Sequence, residues 1–123
     1  MENLTIEETK YTPKIELDVK GTISLVGKSY PENTFEFYEP MMTWIEEYFK
    51  TDTGKTTVNI EITYFNSSSS KLFFDFFDLL DENKDDHNIV INWIYDEENE
   101  SAEEAGEDFI EDFEDLNIEL VKK

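Results

Sequence analysis

Between Val58 and Tyr95 the chain passes from strand spacing to helix spacing and back to a strand, a succession that admits few folds. Val58, Ile60, Ile62 and Tyr64 alternate with polar residues, the period of two that marks a strand. Leu72, Phe73, Phe76, Phe77, Leu79 and Leu80 then recur three and four apart, as one broad helical face requires. Asp81 to His87 form a charged connector, after which Ile89, Val90, Ile91, Trp93, Ile94 and Tyr95 make a nearly unbroken apolar run. Such a run is expected of a central strand covered on both faces, by helices on both sides or by helices on one side and a second sheet on the other. Two strands joined through a helix pair in parallel by a right-handed crossover.

The flanking segments extend this unit. Ile15, Leu17 and Val19 alternate before Gly21, and Ile23, Leu25 and Val26 follow it, which predicts a β-hairpin. Tyr38, Met41, Met42, Ile45, Tyr48 and Phe49 have helical spacing, with Asn33 suited to cap that helix and Glu36 to reach back. Pro40 has no N–H to give, so the regular helix is expected to start either at Asn33 or only at Pro40. Ser101 with Glu104 has the spacing of a capping box ahead of Ala102, Ala105, Phe109, Ile110 and Phe113, and Leu116, Ile118 and Leu120 alternate in a short last strand. Residues 1–13 carry mixed charge and end at Pro13, which reads as a flexible leader; residues 14–123 read as one domain. The expected architecture is an α/β domain of order ββαβαβαβ, with a mixed, mostly parallel β-sheet and helices packed on it.

Charge narrows the partners. Thirty-one acidic residues against ten lysines and no arginine give a formal net charge of −21. Nucleic acid and anionic membranes both select Lys and Arg, so neither is an expected partner. The absence of cysteine removes disulfides, thiolate catalysis and zinc-thiolate sites. The start of the chain has neither a basic head nor an apolar run, which suggests a cytoplasmic protein. Nothing specifies catalysis: His87 is the single histidine, and no GxSxG elbow accompanies the serines. Asp81, Asn83 and Asp85 begin a calcium-loop spacing that fails at Asp86, where glycine is needed, and at Asn92, where a bidentate glutamate is needed. Twelve of the twenty residues from Asp96 to Asp115 are acidic, which reads as a solvated helix face.

The segment Asn66-Ser67-Ser68-Ser69-Ser70-Lys71 joins the strand to the helix. Asn and Ser are favoured N-cap residues, so capping alone accounts for part of this composition. A helix start also presents unpaired N–H groups and the positive end of the peptide dipole, which favour an anion. One hydroxyl can cap while an exposed neighbour accepts a phosphate, with Lys71 near enough to pair with the added charge.

Two segments, SYPENTFEFYEPMMTWIEEYF at Ser29 to Phe49 and YFNSSSSKLFFDFFDLLDE at Tyr64 to Glu82, resemble the SiaC family of bacterial regulatory phosphoproteins. The Thr12-Pro13 pair and the strand end NWIYDEENE at Asn92 to Glu100 extend the resemblance over nearly the whole chain. It implies a fold like the STAS domains of anti-sigma factor antagonists and a role as a phosphorylation switch rather than an enzyme. It implies three partners: a serine/threonine kinase, a PP2C-type phosphatase, and a diguanylate cyclase in biofilm control that the unmodified form binds and activates. Carried over by position, the acceptor is Ser67, where the family pattern has Thr; Ser68 and Ser69 are neighbouring alternatives. The partner-binding surface then comprises Asn66, Ser67, Ser68, Ser69 and Lys71 with the turn Tyr30, Pro31, Glu32 and Asn33. An anti-sigma factor antagonist acting through transcription is the alternative reading of the same resemblance.

Overall fold

The computed structural model describes residues 1–51 and 53–123. Its elements run β1 (Leu4–Ile6), β2 (Lys14–Asp18), β3 (Thr22–Ser29), α1 (Thr34–Tyr48), β4 (Thr56–Phe65), α2 (Ser67–Asn83), β5 (Ile89–Tyr95), α3 (Glu100–Asp112) and β6 (Ile118–Lys122). The expected ββαβαβαβ order is present, preceded by one further strand. That strand lies inside the segment read as a leader: Leu4 and Ile6 pair with Leu17 and Ile15 of β2. The indole of Trp44 donates to the Glu2 carbonyl at 2.8 Å, and Asn3 Oδ1 accepts from the Val19 amide at 2.8 Å. A strand of three residues is too short for its period to stand out in the sequence, and its order here comes from pairing with β2.

The six strands lie in the order β1-β2-β3-β4-β5-β6. The first three are antiparallel neighbours, and β3 to β6 are parallel. At the β2–β3 turn Gly21 has φ +117°, and a Cβ there would lie 2.5 Å from the Lys55 carbonyl oxygen. Backbone conformation and the close approach of the β4 entry both require glycine. The first helix begins at Thr34, with Asn33 as its N-cap, and carries Pro40 inside it. The proline therefore does not set the start of the helix.

Each connection from β3 to β6 steps one strand further in the same direction. Crossovers of a single hand then place every helix on the same face. Burial agrees: Ile23 and Leu25, Val58, Ile60 and Ile62, and Ile89, Ile91 and Trp93 are buried. Their alternates Ser24, Asn59, Val90, Asn92 and Ile94 are only half-buried. Leu25, Ile60 and Trp93 stand in one row across three strands. Trp93 meets Phe77 of α2 at 6.3 Å and Phe109 of α3 at 5.4 Å between ring centroids. The expectation that β5 is covered on both faces is thus corrected. Val90 and Ile94 lie on the face opposite the helices, beside a ladder in which Asn92 donates to Asn59 Oδ1 at 2.9 Å.

Candidate functional site

The carboxyl ends of β3, β4 and β5 share one edge of the sheet, and each leads into a helix capped by asparagine. Asn33 Oδ1 accepts from the Glu36 amide at 3.3 Å, Asn66 Oδ1 from the Ser69 amide at 2.9 Å, and Asn99 Oδ1 from the Ala102 amide at 3.1 Å. Asn99, not Ser101, caps α3, and its amide nitrogen also donates to the Thr63 carbonyl at 3.0 Å. This second bond ties the start of α3 to the end of β4. Spacing alone could not separate Asn99 from Ser101, because both are good caps.

The serine row divides by burial. Ser67 and Ser68 are exposed in the first turn of α2, whereas Ser69 is 0% exposed. Ser69 Oγ donates to the Ser29 carbonyl at 2.9 Å and lies 2.7 Å from Ser29 Oγ, which lies 2.6 Å from the Tyr38 hydroxyl. A consistent assignment runs Tyr38 O–H to Ser29 Oγ, Ser29 O–H to Ser69 Oγ, and Ser69 O–H to the Ser29 carbonyl, so each hydroxyl donates once. The carbonyl's other lone pair accepts from the Asn66 amide at 3.1 Å. Ser69 is therefore removed both as a phosphate acceptor and as a partner contact: its oxygen is buried and committed to the junction between β3 and α2. Burial pushes the Tyr38 hydroxyl well above the usual phenol range, with the Ser29 bond opposing in part.

The electrostatics at this edge are uneven. The first turn of α1 holds Glu36 and that of α3 holds Glu100 and Glu103, but the first turn of α2 has no acid. Lys71, one helical turn beyond Ser67, is exposed, and its ammonium sits 6.0 Å from the Phe35 ring centroid. The five ion pairs among the described residues occupy Lys14, Lys50, Lys84, Lys122 and Lys123. Lys71 is thus free to meet an anion on α2, where the peptide dipole adds a favourable contribution of roughly 0.3–1 kcal/mol.

The turn after β3 joins this edge by backbone and aromatic contacts. Tyr30 packs edge-on against Tyr64 at 5.3 Å and against Tyr11 at 5.2 Å. Glu32 and Asn33 are exposed, while Pro31 is buried. Pro31, though largely buried, lines a surface pocket together with Tyr11, Tyr30, Glu32 and Phe37. The exposed aromatics Phe35, at 49%, and Phe74, at 44%, escaped the sequence reading because each sits one position off its helix's apolar face.

His87 belongs elsewhere. Its Nδ1 is 2.7 Å from Thr53 Oγ1, and its ring lies 4.8 Å from that of Phe49. It follows the end of α2, whose seventeen residues separate it from Ser67 by about 25 Å of helix. No serine-histidine pair forms among the described residues. Among the described residues no group of three or more His, Asp or Glu side chains is placed to hold a metal ion, and no helix is long and apolar enough to cross a membrane.

The SiaC family regulatory phosphoprotein profile matches residues 6–123. The chain belongs to the SiaC family. An uncharacterized protein of Pseudomonas aeruginosa strain UCBPP-PA14 is 34% identical over 114 residues, which cover 91% of this chain and 90% of that protein. The solved structure of SiaC of Pseudomonas aeruginosa matches with a TM-score of 0.91 at 30% identity, covering 100% of both chains. A crystal structure of the diguanylate cyclase SiaD in complex with its activator SiaC, from the same organism, contains a chain that matches with a TM-score of 0.91 at 31% identity. That match covers 98% of this chain and 99% of the other. The relative in that complex is a cyclase activator, and the SiaC family is one of regulatory phosphoproteins.

Proposed function

We propose that this protein is a non-catalytic cytoplasmic switch: with Ser67 unmodified it binds and activates a diguanylate cyclase, and phosphate on Ser67 ends that binding. A serine/threonine kinase adds the phosphate and a PP2C-type phosphatase removes it. The observation that carries the reading is the position of Ser67. It is exposed at the first residue of α2, directly after the Asn66 cap, in a first turn without acids and one turn before Lys71. A phosphate there adds about −1.5 to −2 charges and three acceptor oxygens beside free helix N–H groups. The modified group is then stable where it stands and opposes a docking surface through its hydration and charge, with no refolding.

The test has two measurements on the full chain. The first is fragmentation mass spectrometry of the peptide spanning residues 66–71 from cells of the source organism; the second is the activity of the cognate diguanylate cyclase with wild type and Ser67→Asp. Phosphate on Ser67, with cyclase stimulation lost in Ser67→Asp, is expected. Phosphate confined to Ser68, or full stimulation by Ser67→Asp, overturns the assignment.

A further inference from the structure

Helices cover one face of the sheet, and the opposite face differs in composition from the rest of the chain. Directly paired strand residues share a face, so the register sets Glu16, Ser24, Asn59, Asn92 and Glu119 in one row across five strands. The rows on either side hold Thr22, Thr57 and Val90, and Lys14, Val26 and Glu61. Ile94 pairs with Val121, and Lys28, the neighbour of the helix-facing Ser29, pairs with Tyr64. Val26, Tyr64 and Val121 are 42%, 55% and 37% exposed, and Val90 and Ile94 are half-buried.

Charge on this face nearly cancels. Its strands carry Lys14, Lys28 and Lys123 against Glu16, Asp18, Glu61 and Glu119, a net of −1 in a chain of −21. Lys14 lies 3.6 Å from Glu16, and Lys123 lies 2.6 Å from Glu61. The surplus acids therefore sit on the helix side, the loops and the chain ends. At the centre of the face Asn92 donates to Asn59 Oδ1, which leaves the Asn59 NH2 group and Asn92 Oδ1 without a protein partner among the described residues.

We propose that this open face is a self-association surface, on which a second copy of the chain packs sheet to sheet. Two chains of −21 repel wherever their surplus acids meet, and the near-neutral face is where they can approach. A twofold contact must match the same residues to themselves. The Asn59–Asn92 row does so, because it presents both a free donor group and a free acceptor. Val26, Ile94 and Val121 add apolar area that needs no partner of opposite charge, whereas a cationic partner is drawn to the acidic helices. Six strands about 4.8 Å apart, mostly paired over five residues at about 3.3 Å each, give roughly 500 Å² on each copy. The pair buries about 1,000 Å², the lower limit of a specific interface, so the dimer is weak and reversible. Pairing on this face leaves the first turn of α2 open in both copies.

Sedimentation equilibrium of the full chain in about 0.15 M salt, from about 10 µM to about 1 mM protein, reads the association. The average mass is expected to rise toward twice that of the monomer. Raising the salt to about 0.5 M is expected to strengthen association, because screening weakens the repulsion between two acidic bodies. Val26→Glu and Val121→Glu, at exposed positions, are expected to weaken it at least tenfold. Phe35→Glu adds the same charge on the helix side and is expected to change it less than threefold. On dilution of the wild type, a measurement that needs no variant, amide NMR shifts are expected to move in residues 24–28, 57–61 and 90–94. A monomer at every concentration, an equal loss in Phe35→Glu, weaker association at high salt, or dilution shifts centred on the helices overturns the proposal. None of these readouts involves phosphate or a cyclase, so failure of the dimer and failure of the Ser67 switch are told apart.

Discussion

Replacing Ser69 by alanine tests whether the serine row has a structural and a regulatory half. The change removes the 2.9 Å bond to the Ser29 carbonyl and takes away the acceptor 2.7 Å from Ser29 Oγ. The carbonyl keeps its bond from the Asn66 amide, so it remains satisfied. The Ser29 hydroxyl does not: at 0% exposure it must reorient toward Tyr38 or stay unpaired. A lost neutral bond is worth about 1 kcal/mol, and an orphaned buried donor costs about 1–3 kcal/mol, so the expected loss is about 2–4 kcal/mol. For a domain of this length that lowers Tm by about 10 °C. Ser67→Ala changes only an exposed hydroxyl and is expected to stay within about 0.5 kcal/mol of wild type. Urea unfolding followed by tryptophan fluorescence measures both. The double variant Ser29→Ala with Ser69→Ala should lose less than the sum of the single losses, because removing both partners leaves no orphan in their mutual bond. A Ser69→Ala protein within 0.5 kcal/mol of wild type, or additive single losses, would refute the hydroxyl chain as a structural element.

Two further outcomes follow from the packing. Gly106→Ala places a methyl 2.6 Å from Trp93 Cδ1 and 2.6 Å from Leu120 Cδ2; overpacking is expected to cost about 1–3 kcal/mol and to move the indole, which thermal unfolding and Trp93 fluorescence read directly. Tyr38 has its folded-state pKa raised by burial above the ordinary 10.0, so its contribution is fully present below pH 10 and is lost as pH rises beyond it, when only the unfolded chain ionises the phenol. Above pH 10 the stability of Tyr38→Phe should therefore fall less steeply than that of wild type, by about 1.4 kcal/mol per pH unit, and equal slopes in alkaline urea titrations would contradict this.

The strands and helices themselves were legible because one side of the sheet is buried. Val58, Ile60 and Ile62, or Phe73, Phe76, Phe77 and Leu80, keep a period because water is excluded from one side of each element. Asn33 was legible as a cap for the same local reason, a side-chain oxygen serving an amide three residues on, whereas at α2 a serine hydroxyl was expected to cap and Asn66 does so instead. Ile94 and Val90 misled, since apolar residues on an open sheet face look in sequence like those beneath a second layer. Leu4 and Ile6 were passed over because three residues carry too little pattern to show a strand.

Of the site, the chain by itself determined the Asn66 to Lys71 motif, its place at the end of a strand and the start of a helix, and the family to which it belongs. Local spacing and short-range hydrogen bonding decide those features, and both are written in consecutive residues. Only the tertiary structure separated Ser69 from Ser67, because that difference depends on Ser29, forty residues away, and on Tyr38 of another helix. Only it brought α2 beside α3, so that Phe74, Asp108 and Ser67 border one groove. Burial and charge pairing between distant segments are properties of the packed chain, and no window of sequence contains both partners.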